Sequence, residues 1–242
     1  MSNLLEGLND RQKEAVEYMD GPLLILAGAG SGKTRVLTYK IAYLLEQEIV
    51  KPWQILAITF TNKAAKEMKE RVEGLVGQVA QDMWLGTFHS VCVRILKREI
   101  ELLGYTRDFN IFDEIDKEKV IKEVMKKLNI DEKIYPVGLI KSEISKAKEV
   151  MKDDVAYQKD SIGDFRKEEI AKVYSMYQAT LRTNNSIDFD DIIMLTVKLF
   201  LEHPDRLDYY QSKFNYILVD EYQDTNKTQF LLISLLSAAT GN

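Results

Sequence analysis

Ala27-Gly28-Ala29-Gly30-Ser31-Gly32-Lys33-Thr34 decides how the rest of the chain is read. The apolar run Pro22-Leu23-Leu24-Ile25-Leu26 precedes it. Arg35-Val36-Leu37-Thr38-Tyr39-Lys40-Ile41-Ala42-Tyr43-Leu44-Leu45 follows, with apolar residues at helical spacing. Strand, glycine-rich loop and helix in that order are the setting of a phosphate-binding loop. Closely spaced glycines let consecutive backbone N–H groups curl around a polyphosphate, and the helix turns its positive end toward it. Lys33 can then reach the outer phosphates and Thr34 can ligate Mg²⁺. Gly28, Ala29, Gly30, Ser31, Gly32, Lys33, Thr34 and Arg35 are therefore candidate nucleotide contacts. Ala27 stands where GxxxxGK(S/T) has its first glycine, and a small residue there still allows the turn. The bland alternative, a glycine-rich turn with an exposed lysine, does not account for the flanking strand and helix.

Such a loop needs an acidic counterpart. Phe214-Asn215-Tyr216-Ile217-Leu218-Val219-Asp220-Glu221-Tyr222-Gln223-Asp224-Thr225-Asn226 supplies an apolar strand ending in two carboxylates. Asp220 can hold a Mg²⁺ shell while Glu221 orients and deprotonates an attacking water. Alone the acidic pair is a weak signal, and with the glycine-rich loop upstream it becomes a strong one. Asp224-Thr225-Asn226 then caps a final helix over Gln229–Leu236.

Between these stretches a strand-loop-helix rhythm repeats. Ile55-Leu56-Ala57-Ile58-Thr59-Phe60 reads as a buried strand, with Thr61-Asn62 capping the helix that begins at Lys63. Met83-Trp84-Leu85-Gly86-Thr87-Phe88-His89-Ser90 is a third short strand with a polar loop, followed by an amphipathic helix. Open α/β sheets bind ligands at the carboxyl edge of their strands, where Phe60, Thr61, Asn62 and His89 fall. Asn62 as cap or ligand contact, and His89 as cap, packing residue or ligand contact, stay open readings. Near the N-terminus, Leu8-Asn9-Asp10-Arg11-Gln12 opens a short helix. Gln12 suits the N6/N7 edge of adenine, although a glutamine on a helix face is more often simply solvated.

From about Leu102 to Ser186 no strand-loop-helix unit is legible. Lys117–Leu128, Val137–Lys148 and Phe165–Arg182 have apolar residues at three- and four-residue spacing, the pattern of a mainly helical insertion. Lys117, Lys119, Lys122, Lys126 and Lys127 could touch a phosphate backbone, but acidic residues share their faces and solvated helix surfaces are the safer reading. Ser186-Ile187-Asp188-Phe189-Asp190-Asp191 opens another helix, and capping accounts for Asp188 and Asp190.

The totals exclude several classes. The 242 residues are 45% hydrophobic and 29% charged, an ordinary globular composition long enough for one large or two modest domains. A net charge of −5 gives no global nucleic-acid signature, so any such site must be local. One cysteine, Cys92, excludes an intramolecular disulfide, and two histidines speak against zinc chemistry. No apolar stretch approaches about 18 residues, and the N-terminus lacks a basic segment leading into an apolar one, so a cytoplasmic chain without a membrane segment is expected.

Gln12, AGAGSGKT, ITFTNKAA from Ile58, GTFHS from Gly86, IDFDD from Ile187 and VDEYQDT from Val219, in this order, closely resemble superfamily 1 helicases of the UvrD/PcrA/Rep type over nearly the whole length. The resemblance implies an α/β fold: a RecA-like P-loop NTPase domain with a parallel sheet over 1–103 and 186–242, and an inserted helical subdomain over 104–185. It implies ATP and Mg²⁺ as cofactors and single-stranded DNA and its junctions with duplex as partners. Gln12 would contact adenine, Lys33 the β/γ-phosphates, Thr34 and Asp220 the Mg²⁺, and Glu221 the water. Phe60, Thr61, Asn62 and His89 fall on the family's DNA motifs, with Phe189 near the same path. The family works in DNA repair and replication and moves 3′ to 5′ on the bound strand, using a second motor domain in the same gene. That domain lies beyond these residues, so this chain is expected to be an N-terminal portion that does not unwind DNA by itself. A stand-alone nucleotide-binding module and a helicase subunit of a helicase–nuclease complex are the alternatives.

Overall fold

The computed structural model describes residues 3–19, 21–28 and 30–241, with residue 3 taken by its backbone alone. Ala29, among the expected nucleotide contacts, lies outside the described residues. In chain order come α1 (Asp10–Glu17), α2 (Lys33–Glu46), β1 (Ile55–Thr59), α3 (Asn62–Val76), β2 (Trp84–Thr87) and α4 (Phe88–Glu99). Next are β3 (Asn110–Phe112), α5 (Glu114–Lys127), α6 (Val137–Glu149), α7 (Asp154–Asp160) and α8 (Phe165–Thr183). The chain ends with β4 (Ser186–Asp188), α9 (Phe189–Glu202), α10 (Pro204–Lys213), β5 (Tyr216–Val219) and α11 (Lys227–Ser237). It forms two compact units. One comprises Met1–Val91, His203–Thr225 and Ile233–Asn242, the other Cys92–Glu202 and Asn226–Leu232.

The first unit is α/β, built on a parallel sheet of order β2-β1-β5. All five residues of β1 are buried, as a central parallel strand covered on both faces requires. Its Ile55 and Ala57 pack with Ile41 and Leu44 of α2 and with Met68 and Val72 of α3. Thr59 pairs with Thr87 and Ile58 with Val219, so the carboxyl ends of the three strands finish at nearly one level. The loops that follow them share one edge of the sheet. At β2, Trp84 meets Phe214 edge to face at 5.1 Å, and Lys213 lies over the Trp84 ring at 5.5 Å.

One expected strand is not formed. Pro22–Leu26 has no regular structure, and Leu26 is 86% exposed with Leu23 and Leu24 also on the surface. A strand exists only where a neighbour takes its N–H and C=O groups, and no described segment pairs with this run. Ile25 alone packs inward, against the cluster of Leu8, Val16 and Val36.

The second unit is mainly helical. Val120, Ile121 and Val124 of α5, Ile140 and Ile144 of α6, and Ile170, Tyr174 and Tyr177 of α8 form its core. The helix expected to open at Ser186 begins only at Phe189, because Ser186–Asp188 form β4, which pairs in parallel with β3, Asn110 opposite Ser186 and Phe112 opposite Asp188. Each has three residues, too few to show a two-residue alternation. Also unexpected is α7, seven residues long and capped by Asp153, which accepts from the N–H of Ala156. Cys92 is fully buried, and burial pushes its thiol up to about 12 against a weaker opposing hydrogen bond with Thr196. No helix among the described residues is long and apolar enough to cross a membrane.

Candidate nucleotide and nucleic-acid site

The glycine-rich loop is closed by its own polar groups. Ser31 Oγ donates to the carbonyl of Gly28 at 2.7 Å, and Lys33 Nζ donates to the carbonyls of Ala27 and Gly28 at 2.9 and 3.3 Å. Gly30 and Gly32 have φ of 76° and 88°, a left-handed conformation that glycine adopts without strain. At Gly32 space adds to the requirement, since a Cβ there would stand 2.9 Å from Gln12 Nε2. α2 begins directly after it, aiming the free N–H groups of its first turn at the loop. Arg35, in that first turn, lies over the ring of Tyr39 at 5.3 Å.

Gln12 ties α1 to the loop. Its Oε1 accepts from the N–H of Asn9 and its own N–H donates to Asn9 Oδ1, a reciprocal cap. Its Nε2 donates to the carbonyl of Ser31 at 3.1 Å. A glutamine simply solvated on its helix face is thereby replaced by one that touches the phosphate-type loop.

The acidic strand end meets the loop. Thr34 Oγ1 donates to Asp220 Oδ2 at 3.2 Å, across 186 residues of sequence. Asp220 is buried, and its N–H donates to the carbonyl of Ile58 at 2.9 Å. Among the described residues no group of three or more His, Cys, Asp or Glu side chains converges as a metal site. A hydroxyl and a carboxylate at this separation instead match Mg²⁺, which takes one or two protein oxygens and fills its octahedron with water and phosphate oxygens. Glu221 next to it has φ 52° and ψ 42°. A non-glycine residue held in the left-handed region costs about 1–3 kcal/mol, and such strain clusters at functional positions. Gln223 Nε2 donates to the Glu221 carboxylate.

The edge loops carry the other candidates. Phe60 packs edge to face on Phe88 at 5.4 Å, joining the loop after β1 to the start of α4, where His89 is half-buried. Thr61 is the cap of α3, accepting from the N–H of Ala64 at 3.1 Å. Asn62 is exposed as the first helical residue and leaves the capping to Thr61. Gly86 lies within β2, and a Cβ there would run into Ser90 Oγ unless that side chain turned away.

Phe189 belongs to the second unit, where it opens α9 with 52% of its surface exposed. The carboxylates around it are paired with lysines. Asp188 Oδ2 accepts from Lys148 Nζ at 2.7 Å and from Tyr177 OH at 2.8 Å. Asp191 Oδ1 lies 2.8 Å from Lys148 Nζ, and Asp190 Oδ2 lies 2.5 Å from Lys117 Nζ. The solvated reading of Lys117 is thus corrected, its side chain being 1% exposed. Burial pushes the Asp188 carboxyl up, but Lys148 and Lys117 outweigh it and hold it well below the usual range. For Asp191 burial and the charge of Asp188 win, raising it to about 6. Sequence reasoning missed Lys148. The signal was its place on the apolar stripe of α6, four residues after Ile144 and eight after Ile140.

Comparison with known proteins agrees with this arrangement. An ATP-dependent DNA helicase PcrA of Staphylococcus epidermidis is 53% identical over 237 residues, covering 98% of this chain. One from Staphylococcus aureus is 52% identical over 242 residues, the whole chain. The chain spans about a third of the length of these relatives, 32% and 33% respectively. The UvrD/REP helicase N-terminal domain family matches residues 8–242. The parallel sheet, the glycine-rich loop at α2 and a match over nearly its full length establish that the chain belongs to the UvrD/REP helicase N-terminal domain family.

Proposed function

We propose that this chain is the ATP- and single-stranded-DNA-binding portion of an ATP-dependent DNA helicase that moves 3′ to 5′ and serves DNA repair or replication in the cytoplasm. The observation that supports the reading is the contact of Thr34 with Asp220, which brings the end of the glycine-rich loop and the acidic strand end together across 186 residues of sequence. Lys33 exchanges the carbonyls of Ala27 and Gly28 for phosphate oxygens, and Gln12 and Arg35 flank the nucleotide. Thr34 and Asp220 would hold Mg²⁺, which supplies charge neutralisation to the phosphates when bound. Glu221 orients the attacking water and takes its proton.

Phe60, Thr61, Asn62 and His89 line the strand path at the sheet edge, and Phe189 offers a stacking face to a base. Residues 104–185 form the subdomain that works at the duplex junction. Full hydrolysis and unwinding draw on a second motor domain that stabilises the charge developing on the γ-phosphate. Titrating the chain with a fluorescent ATP analogue tests the reading. We expect Mg²⁺-dependent binding that Lys33→Ala abolishes and Asp220→Asn renders Mg²⁺-insensitive. Binding that Lys33→Ala leaves intact refutes the site.

A further inference from the structure

Phe189 lies between two carboxylates that are held from different sides. Asp188, on the strand side, takes Lys148 Nζ and Tyr177 OH, and its Oδ1 accepts from the N–H of Asp191 at 2.8 Å. Asp191 Oδ2 returns the bond to the N–H of Asp188 at 3.1 Å. This reciprocal pair already caps α9. Asp190 plays no part in it. Its Oδ2 is bound by Lys117 Nζ from α5 at 2.5 Å and by Ser145 Oγ from α6 at 2.6 Å, while Lys117 Nζ also donates to Ser145 Oγ at 2.9 Å. Lys117 Nζ in addition lies 3.6 Å from Asp188 Oδ2, so one ammonium reaches the residues on both sides of Phe189.

Burying a lysine opposes folding unless its partners compensate, and in some proteins such networks serve to fix one geometry rather than to add stability. The geometry fixed here is the backbone on either side of a half-exposed aromatic ring. We infer that Lys117, with Ser145, is a positioning residue that holds Phe189 as a rigid stacking face for a base of single-stranded DNA. The inference rests on the DNA-binding reading above and adds to it the device that keeps the ring in place. A ring whose backbone is already ordered loses less freedom on binding, so the benefit is in affinity for the strand.

A double-mutant cycle on the 242-residue chain tests it, with anisotropy of a fluorescein-labelled oligothymidylate as the readout and thermal melting as a check on folding. Phe189→Ala should weaken binding by about 5- to 100-fold, the range of one lost base stack. Lys117→Met should weaken it by about tenfold and Ser145→Ala by about threefold, both through Phe189. In the Phe189→Ala background each should therefore change affinity by less than about twofold. Effects that persist undiminished in that background overturn the inference and leave the DNA reading standing. Phe189→Ala without effect on a chain that binds DNA removes Phe189 from the interface and overturns the inference too. No binding of oligothymidylate by the parent chain overturns the DNA reading and the inference together. Should Lys117→Met fail to fold, the Ser145→Ala cycle decides by the same criterion.

Discussion

Lys33 and Lys148 are both helix-terminal lysines, yet the molecule treats their charges in opposite ways. Lys33 rests its ammonium on two backbone carbonyls of a surface loop. Lys148 has its side chain wholly buried, with two carboxylates within 2.8 Å. A charge held by neutral carbonyls can pass to a stronger acceptor such as a phosphate at little cost, because carbonyls left behind at the surface are rehydrated. A charge held by carboxylates in the interior cannot leave without stranding them. Burial alone would push the Lys148 ammonium down, but Asp188 and Asp191 outweigh it and raise it. The difference separates polar groups available to a ligand from polar groups committed to the fold.

Breaking the two lysines separately gives the largest contrast. Lys148→Ala should lower unfolding free energy by about 3–5 kcal/mol in a denaturant titration, the penalty for an uncompensated buried charge. Lys33→Ala should change it by less than about 0.5 kcal/mol. Equal losses would erase the distinction.

Next in size is the pH response of the buried cluster. The folded value of Asp191, about 6, stands above its unfolded value of about 3.9. Its contribution is therefore full below pH ~4 and lost as pH rises through ~6, on the order of 2–3 kcal/mol. Asp188, depressed by the lysines, acts in the opposite sense and loses its contribution only as pH falls below ~4. In melting experiments the advantage of the parent over Asp191→Asn should shrink between pH 4 and 7. A constant offset would show that Asp191 titrates in the ordinary carboxylate range.

Thr61 and Asn62 carry the comparison to adjacent residues. Thr61→Ala removes a helix cap and should cost about 1 kcal/mol of stability. Asn62→Ala, exposed and outside the cap, should leave stability within about 0.5 kcal/mol. If Asn62 touches DNA, its replacement should weaken oligothymidylate binding without moving the melting curve. The smallest effect belongs to the surface pairs of α3. Lys66 and Glu70 are 3.9 Å apart and exposed, so Lys66→Ala should shift stability by less than about 0.5 kcal/mol, and that shift should fade in high salt.

Much of the sheet was legible because its signals are local. Continuous apolar runs marked β1 and β5, and Thr61 and Asp220 sit beside the elements that position them. The failure at Pro22–Leu26 has a physical cause: apolar composition states a preference for burial, whereas strand formation needs a partner that the run itself does not contain. The ion pairs around Phe189 were hidden for a related reason, since Lys117 meets Asp190 across 73 residues and Lys148 meets Asp188 across 40. What local sequence did offer was a lysine on each apolar stripe, Lys117 standing three, four and seven residues before Val120, Ile121 and Val124. The glycine-rich loop announced itself by spacing, but the reach of Gln12 to Ser31 did not, because it depends on where α1 folds back.

Cys92 has a practical consequence. Thiol-directed dyes react with the thiolate, and a buried thiol raised to about 12 offers almost none at neutral pH. Because it is also the single cysteine of the chain, a cysteine introduced at an exposed position such as Asn62 would be labelled by maleimide without competition. The native sequence is thus already a background for site-specific fluorophores, with no cysteine needing to be removed first.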